Sequence, residues 1–160
     1  MLEFQHIIQI NDPAHTDIAD IPKRDLWNAL VFRAKCPAYF NPTLASKIEV
    51  ISESEFLRHL TFGGETLSDK IVLVEHESIH TSTGKNTQSM FAESKTTIEE
   101  PAAGHLIVRF EYRRDSANVP GEMEIDPYIK KAYLQNDLDA IRTIRELVRT
   151  GIPDADSWIQ

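Results

Sequence analysis

The residues best placed to do chemistry are an arginine and an aspartate brought together by a turn. Gly63-Gly64 lies between two runs in which apolar residues alternate with polar ones, the pattern of a two-residue β-hairpin. With that turn, Phe62 faces Glu65, Leu60 faces Leu67, Phe56 faces Ile71, and Arg58 faces Asp69. The flanking pairs are apolar, so Arg58 and Asp69 are expected to point to the same apolar side. Opposite charges on an inward face are uncommon. A planar guanidinium matches a carboxylate in geometry. One reading is a polar anchor for a ligand's carbonyl, carboxylate or hydroxyl; the other is a structural ion pair that fixes the sheet.

Other candidates surround this pair. His6 sits among Phe4, Ile8 and Ile10 on one face of an N-terminal strand, where it is either a ligand contact and proton-transfer group or a satisfied core residue. Trp27, Phe110, Tyr112, Tyr128 and Tyr133 are aromatic candidates for a cavity wall, with core packing as the competing role. Arg33 is placed to guard a cavity mouth or to form a helix-surface ion pair. Several motifs fail. Glu75, His76, Glu77 and His80 bracket an expected turn and lack a third ligand at metal-site spacing, so no metal is expected. Gly84-Lys85 is followed by Asn86 rather than Ser or Thr, which reads as a hairpin turn and not a phosphate loop. No G-x-S-x-G, H-E-x-x-H or G-x-G-x-x-G occurs, and no cofactor is implied. Cys36 has no histidine beside it in sequence to activate it.

The elements that must carry these residues follow from periodicity. Leu2 to Ile10 alternates as a strand. Pro22 opens a helical stretch with Leu26, Trp27, Leu30, Val31 and Ala34 at helical spacing, broken up by Pro37 and Pro42. From Ala45 to Arg113 the pattern is β, in six strands ending on Leu106, Val108, Phe110 and Tyr112. A long helix follows. Asp126 is expected to cap it and Pro127 to fill its first position. Its inner face is expected to be Leu134, Leu138, Ile141, Ile144 and Val148, with a kink at Asn136-Asp137, and Gly151 and Pro153 end it.

Composition restricts the partners. The 160 residues hold 17 basic and 25 acidic side chains, a net charge of -8, which repels phosphate backbones, so nucleic acid is not expected. No apolar run approaches the roughly 18 residues that span a bilayer, so no membrane insertion is expected. With a single cysteine and no signal-peptide pattern, the expected location is cytoplasmic. No repeat or linker divides the chain, so 1-160 reads as one domain. Trp158 and Ile159, beyond the last helix, are expected to dock on the domain or on a second subunit, leaving a homodimer open.

Strand, helix, six strands, long helix is an α+β order. Two helical elements cannot cover a flat seven-stranded sheet, so the antiparallel sheet must curl around the C-terminal helix. Specific stretches go further. FQHIIQINDP at Phe4–Pro13, LWNALVFRAKCPAYFNP at Leu26–Pro42, TIEEPAAGHLIVRFEY at Thr97–Tyr112 and AIRTIRELVRTG at Ala140–Gly151 resemble a small START-like (SRPBCC) family named after a protein of the acetylaranotin biosynthesis cluster. The resemblance implies a helix-grip fold with a cavity for a small hydrophobic or aromatic molecule between sheet and helix. Three functions fit: a noncatalytic binder or carrier, which is the leading one; a cyclase- or dehydratase-like enzyme of secondary metabolism acting on a polyketide-like or aromatic substrate; and a stress or interaction protein with a closed cavity.

Overall fold

A computed structural model describes residues 1–83 and 91–157. The expected turn at Gly84 to Asn86 and the two docking candidates Trp158 and Ile159 lie outside the described residues. The chain runs β1 (Leu2–Asn11), α1 (Lys23–Lys35), α2 (Pro37–Phe40), β2 (Ala45–Val50), β3 (Glu55–Phe62), β4 (Glu65–Val74), β5 (Ser78–Thr83), β6 (Ala92–Ala102), β7 (His105–Arg114) and α3 (Asp126–Thr150). The strands form one antiparallel sheet in the order β1-β7-β6-β5-β4-β3-β2. β2 to β7 form a meander, and β1 pairs with β7.

The β3–β4 register is the one the turn dictates: Arg58 opposes Asp69 and Phe56 opposes Ile71. Both turn residues have positive φ, +56° at Gly63 and +81° at Gly64, as a type I′ turn requires and a Cβ would oppose.

Apolar residues on one face of the sheet meet α1 and α3. Ile8, Ile10, Phe56, Ile71, Val108 and Phe110 from the strands close on Leu26, Leu30, Ile141 and Ile144 from the helices. Each fully buried aliphatic side chain contributes about 1.5–3 kcal/mol. Phe32, Cys36 and Leu147 form a smaller cluster where α1 crosses the end of α3. Burial pushes the Cys36 thiol up to about 11, so it is a packed thiol and not a nucleophile at neutral pH.

Three expectations for α3 need correction. Its inner face is Asp137, Ala140, Ile141, Ile144 and Leu147, whereas Leu134 and Leu138 are 38% and 40% exposed. At 3.6 residues per turn, Asp137 lies about 20° from Ile144 around the axis, and Leu138 about 120° away. Asn136-Asp137 does not interrupt the helix, which runs unbroken to Thr150. Nor is Asp126 the cap. Ile125 holds that position, and Asp126 is inside the first turn with no capping bond to its own helix. Its carboxylate instead accepts from Ser116 Oγ at 2.6 Å and from the Ala117 amide at 2.9 Å. The Ser116 hydroxyl holds this carboxyl below its ordinary range. Asn118 Oδ1 takes over at the helix entrance, accepting from the amides of Ile125 and Asp126.

Candidate functional site

A cleft of about 370 Å³ lies between the sheet and α3, at the lower end of the usual range for small-molecule sites. β3, β5, β6 and β7 supply one wall through Arg58, Leu60, Ile79, Thr81, Ser94, Thr96 and Tyr112. α3 supplies the other through Tyr133, Asn136, Ala140 and Thr143, and Leu30, Arg33, Phe40 and Leu44 close the side. A larger depression of about 710 Å³ is lined by Glu3, Glu93, Lys95 and Arg113 among others. Arg113, 53% exposed, bonds Glu3 and Glu93 there. Water screens such pairs, so the cleft under α3 is the better site.

The most heavily engaged group beside the cleft is Asp137, which has no solvent exposure. α1, β1 and β7 each send it one donor. Arg33 Nη2 donates to Oδ1 at 3.1 Å. His6 Nε2, 2.7 Å away, and the Tyr112 hydroxyl both donate to Oδ2. Three donors offset the cost of burying this carboxylate. Burial, and then the Asp137 charge, push the Tyr112 phenol far above its ordinary range, so Tyr112 stays protonated and acts as a donor. Its ring lies against Phe4 at 5.1 Å and Tyr133 at 4.4 Å.

Arg58 and Asp69 form the second charged group. Arg58 Nε donates to Oδ1 at 3.0 Å and Nη2 to Oδ2 at 2.8 Å, while Nη1 donates to the carbonyl of Ala34 at 2.9 Å. All three guanidinium nitrogens are engaged. The last bond ties β3 to the end of α1, where carbonyls lack helical partners.

The sequence candidates therefore separate. Arg33, Arg58, Tyr112 and Tyr133 wall the cleft. His6 and Asp69 stand behind the wall, each bonded to a residue that does line it through a carboxylate. Phe110 and Trp27 belong to the core at 1% and 6% exposure, with Trp27 edge-on to His76. Tyr128 is 59% exposed on the first turn of α3 and does not reach the cleft. Arg33 pairs with a buried carboxylate, not with a surface partner on its own helix. Asp137 was not among the candidates, although one signal marks it. It stands in register with Ile141 and Ile144 on the apolar face of a long amphipathic helix, where a charge needs partners. Among the described residues no group of three or more His, Cys, Asp or Glu could hold a metal ion, and no helix is long and apolar enough to cross a membrane.

The family model described as acetylaranotin biosynthesis cluster protein L matches residues 8–151. No curated protein sequence matches the chain. Among solved structures it is similar to the di-domain ARO/CYC BexL from the BE-7585A biosynthetic pathway, with a TM-score of 0.66 and 13% identity, covering 95% of this chain and 51% of that one. The chain thus spans about half the length of such di-domain proteins. It is also similar to the Zhui aromatase/cyclase from Streptomyces sp. R1128 (TM-score 0.60, 13% identity, 96% of this chain and 97% of that one). A third likeness is to norcoclaurine synthase from Thalictrum flavum (TM-score 0.58, 16% identity, 93% and 87%). At these identities the likenesses show the shared helix-grip fold.

Proposed function

The chain belongs to the family of acetylaranotin biosynthesis cluster protein L, and within it we propose a binder of a small hydrophobic or aromatic molecule held between sheet and α3. The observation that carries this reading is the cleft itself. Apolar and aromatic side chains share its wall with polar ones, and Arg33 brings a guanidinium that, among the described residues, makes one hydrogen bond, to Asp137. Apolar surface that a ligand can bury, with placed polar groups to orient it, is the common form of a small-molecule site. An open cleft of this size also argues against a closed, incidental cavity.

A second reading is a cyclase- or dehydratase-like enzyme. It is favoured by the Tyr112 hydroxyl at the cleft wall, backed by Asp137 and His6, and by the aromatase/cyclases among proteins of this fold. In that case Tyr112 is the hydroxyl within reach of substrate, and Asp137 and His6 position it. With its one cysteine buried and reduced, a cytoplasmic location fits the proposal, and a homodimer is compatible with it.

Native mass spectrometry of the purified protein, with analysis of its organic extract, tests the binding reading. The expected result is a stoichiometric organic adduct that Thr143→Phe, on the α3 wall, diminishes. An apo mass, together with no thermal shift from a panel of aromatic compounds, overturns it. Turnover of an extracted compound by the wild type but not by Tyr112→Phe favours the enzyme.

A further inference from the structure

The sheet side of the cleft carries half-buried hydroxyls to which the fold, among the described residues, gives no protein partner. Thr81 on β5 faces Ser94 on β6, and Ser94 faces Tyr112 on β7. Thr96 follows two residues along β6 on the same face. All four wall the cleft. Among the described residues, the Thr81, Ser94 and Thr96 hydroxyls make no hydrogen bond to protein. The flanking strands place Ile71 opposite Thr81 and Phe110 opposite Thr96. The hydroxyls are clustered opposite α3, where the rest of the sheet wall is Arg58, Leu60, Ile79 and Tyr112.

Resting on the binding reading above, we propose that the ligand is a flat organic acid bearing further ring oxygens. Its anionic oxygen sits on Arg33, and its hydroxyl or carbonyl oxygens sit on Thr81, Ser94 and Thr96. Arg33 lines the cleft and, among the described residues, makes one hydrogen bond, from Nη2 to Asp137, with its guanidinium over the Phe40 ring, so Nη1 and Nε hold no protein acceptor. Oδ2 of Asp137 is taken by His6 and Tyr112, so only Oδ1 meets Arg33 and the pair is held by one bond rather than two. The other charged groups on the wall are already paired, Arg58 with Asp69 and Asp139 with Arg142. An anion is therefore best received at Arg33, where a guanidinium can meet a carboxylate with two bonds. The Tyr112 and Tyr133 rings offer a face for stacking. Opposed residues on neighbouring strands stand about 5 Å apart, a separation that oxygens set 1,3 on a six-membered ring can meet. Same-face positions two residues apart are roughly 6.5–7 Å apart.

Calorimetry with three probes tests this: 2,4-dihydroxybenzoate, benzoate, and methyl 2,4-dihydroxybenzoate. The first keeps charge and hydroxyls, the second removes the hydroxyls, and the third removes the charge. The dihydroxybenzoate is expected to bind tightest, with the ester weaker by about tenfold or more. Arg33→Met should abolish the preference for acid over ester. The near-isosteric double variant Thr81→Val/Thr96→Val should abolish the preference for dihydroxybenzoate over benzoate while leaving benzoate unchanged. An ester that binds as well as the acid, or a hydroxyl preference that survives the double variant, overturns the proposal. If none of the three binds but neutral naphthalene does, and Thr143→Phe blocks it, the proposal falls while the binding reading stands. If naphthalene also fails, both fall.

Discussion

Two arginine–aspartate pairs stand on opposite sides of the same cleft, and they are built differently. Arg58 and Asp69 face one another across adjacent strands of a single hairpin, two bonds wide, with the third guanidinium nitrogen spent on the Ala34 carbonyl. Arg33 and Asp137 come from two helices and share one bond. Their carboxylate is completed by His6 and Tyr112 from the two strands at the far edge of the sheet. The first pair is closed: it joins β3, β4 and α1 and leaves no guanidinium nitrogen unengaged. The second is open on the cationic side. The difference teaches that burial of a charge does not identify a binding residue. What counts is how many of its donors remain uncommitted and whether they reach a cavity.

The largest expected effect lies in the closed pair. Arg58→Ala should cost about 3–5 kcal/mol, because it strands a carboxylate that is 4% exposed. Chemical denaturation checks this, and a loss below about 1 kcal/mol would mean that water already screens the pair. The preference for acid over ester should survive in the folded molecules, since Arg58 is already paired with Asp69. Arg33→Met should cost less, about 2 kcal/mol, since Asp137 keeps two of its three donors. It should, however, weaken acid binding about tenfold. Equal effects of the two variants on affinity would dissolve the contrast.

Joint replacement sharpens the comparison. Arg58→Met with Asp69→Leu removes both charges of a self-contained pair and should stay within about 1 kcal/mol of the parent. Arg33→Met with Asp137→Leu leaves the His6 and Tyr112 donors without their acceptor, so it should cost about 2 kcal/mol. A double variant at the second site as stable as that at the first would show that His6 and Tyr112 find other partners.

The smallest effect is a difference in pH response. Tyr112 in the folded protein is raised above its ordinary 10.0. Its stabilising contribution is therefore complete below pH 10 and is lost at higher pH, as the unfolded phenol ionises and the folded one does not. Cys36 adds a similar loss between its ordinary 9.0 and about 11. Stability measured from pH 8 to 11 should decline less steeply in Tyr112→Phe and Cys36→Ala than in the parent. Arg58→Ala, lying in the other network, should lower the whole curve without changing its slope.

The closed pair was legible in the sequence because the chain supplies its own ruler. Gly63-Gly64 fixes the turn, and strand alternation then places Arg58 opposite Asp69 with no further information. The open pair joins residues far apart in the chain, so no local rule pairs Arg33 with Asp137. The face of α3 was misread for a related reason. Leu134 and Leu138 are apolar but exposed, whereas the charged Asp137 points inward. Periodicity weights hydrophobic residues and discounts a carboxylate whose partners come from other elements. The order of elements was readable throughout, since each strand and helix announces itself within a few residues. The Asp126 cap was not, because Asn118, in the preceding loop, holds the helix entrance instead.

The pairing of β1 with β7 has a consequence for how the chain is made. His6 lies opposite Phe110, so the first strand leaves the ribosome about a hundred residues before its partner exists. At roughly 5–20 residues per second, the N-terminal strand waits on the order of 5–20 s without its neighbour, while the β2–β4 meander can already pair locally. Closing so long a loop also makes the folding of this edge late and slow. Pulse-labelled amide exchange during refolding should find β1 and β7 among the last strands to gain protection. The carboxylate of Asp137 can collect its three donors only once that edge has closed.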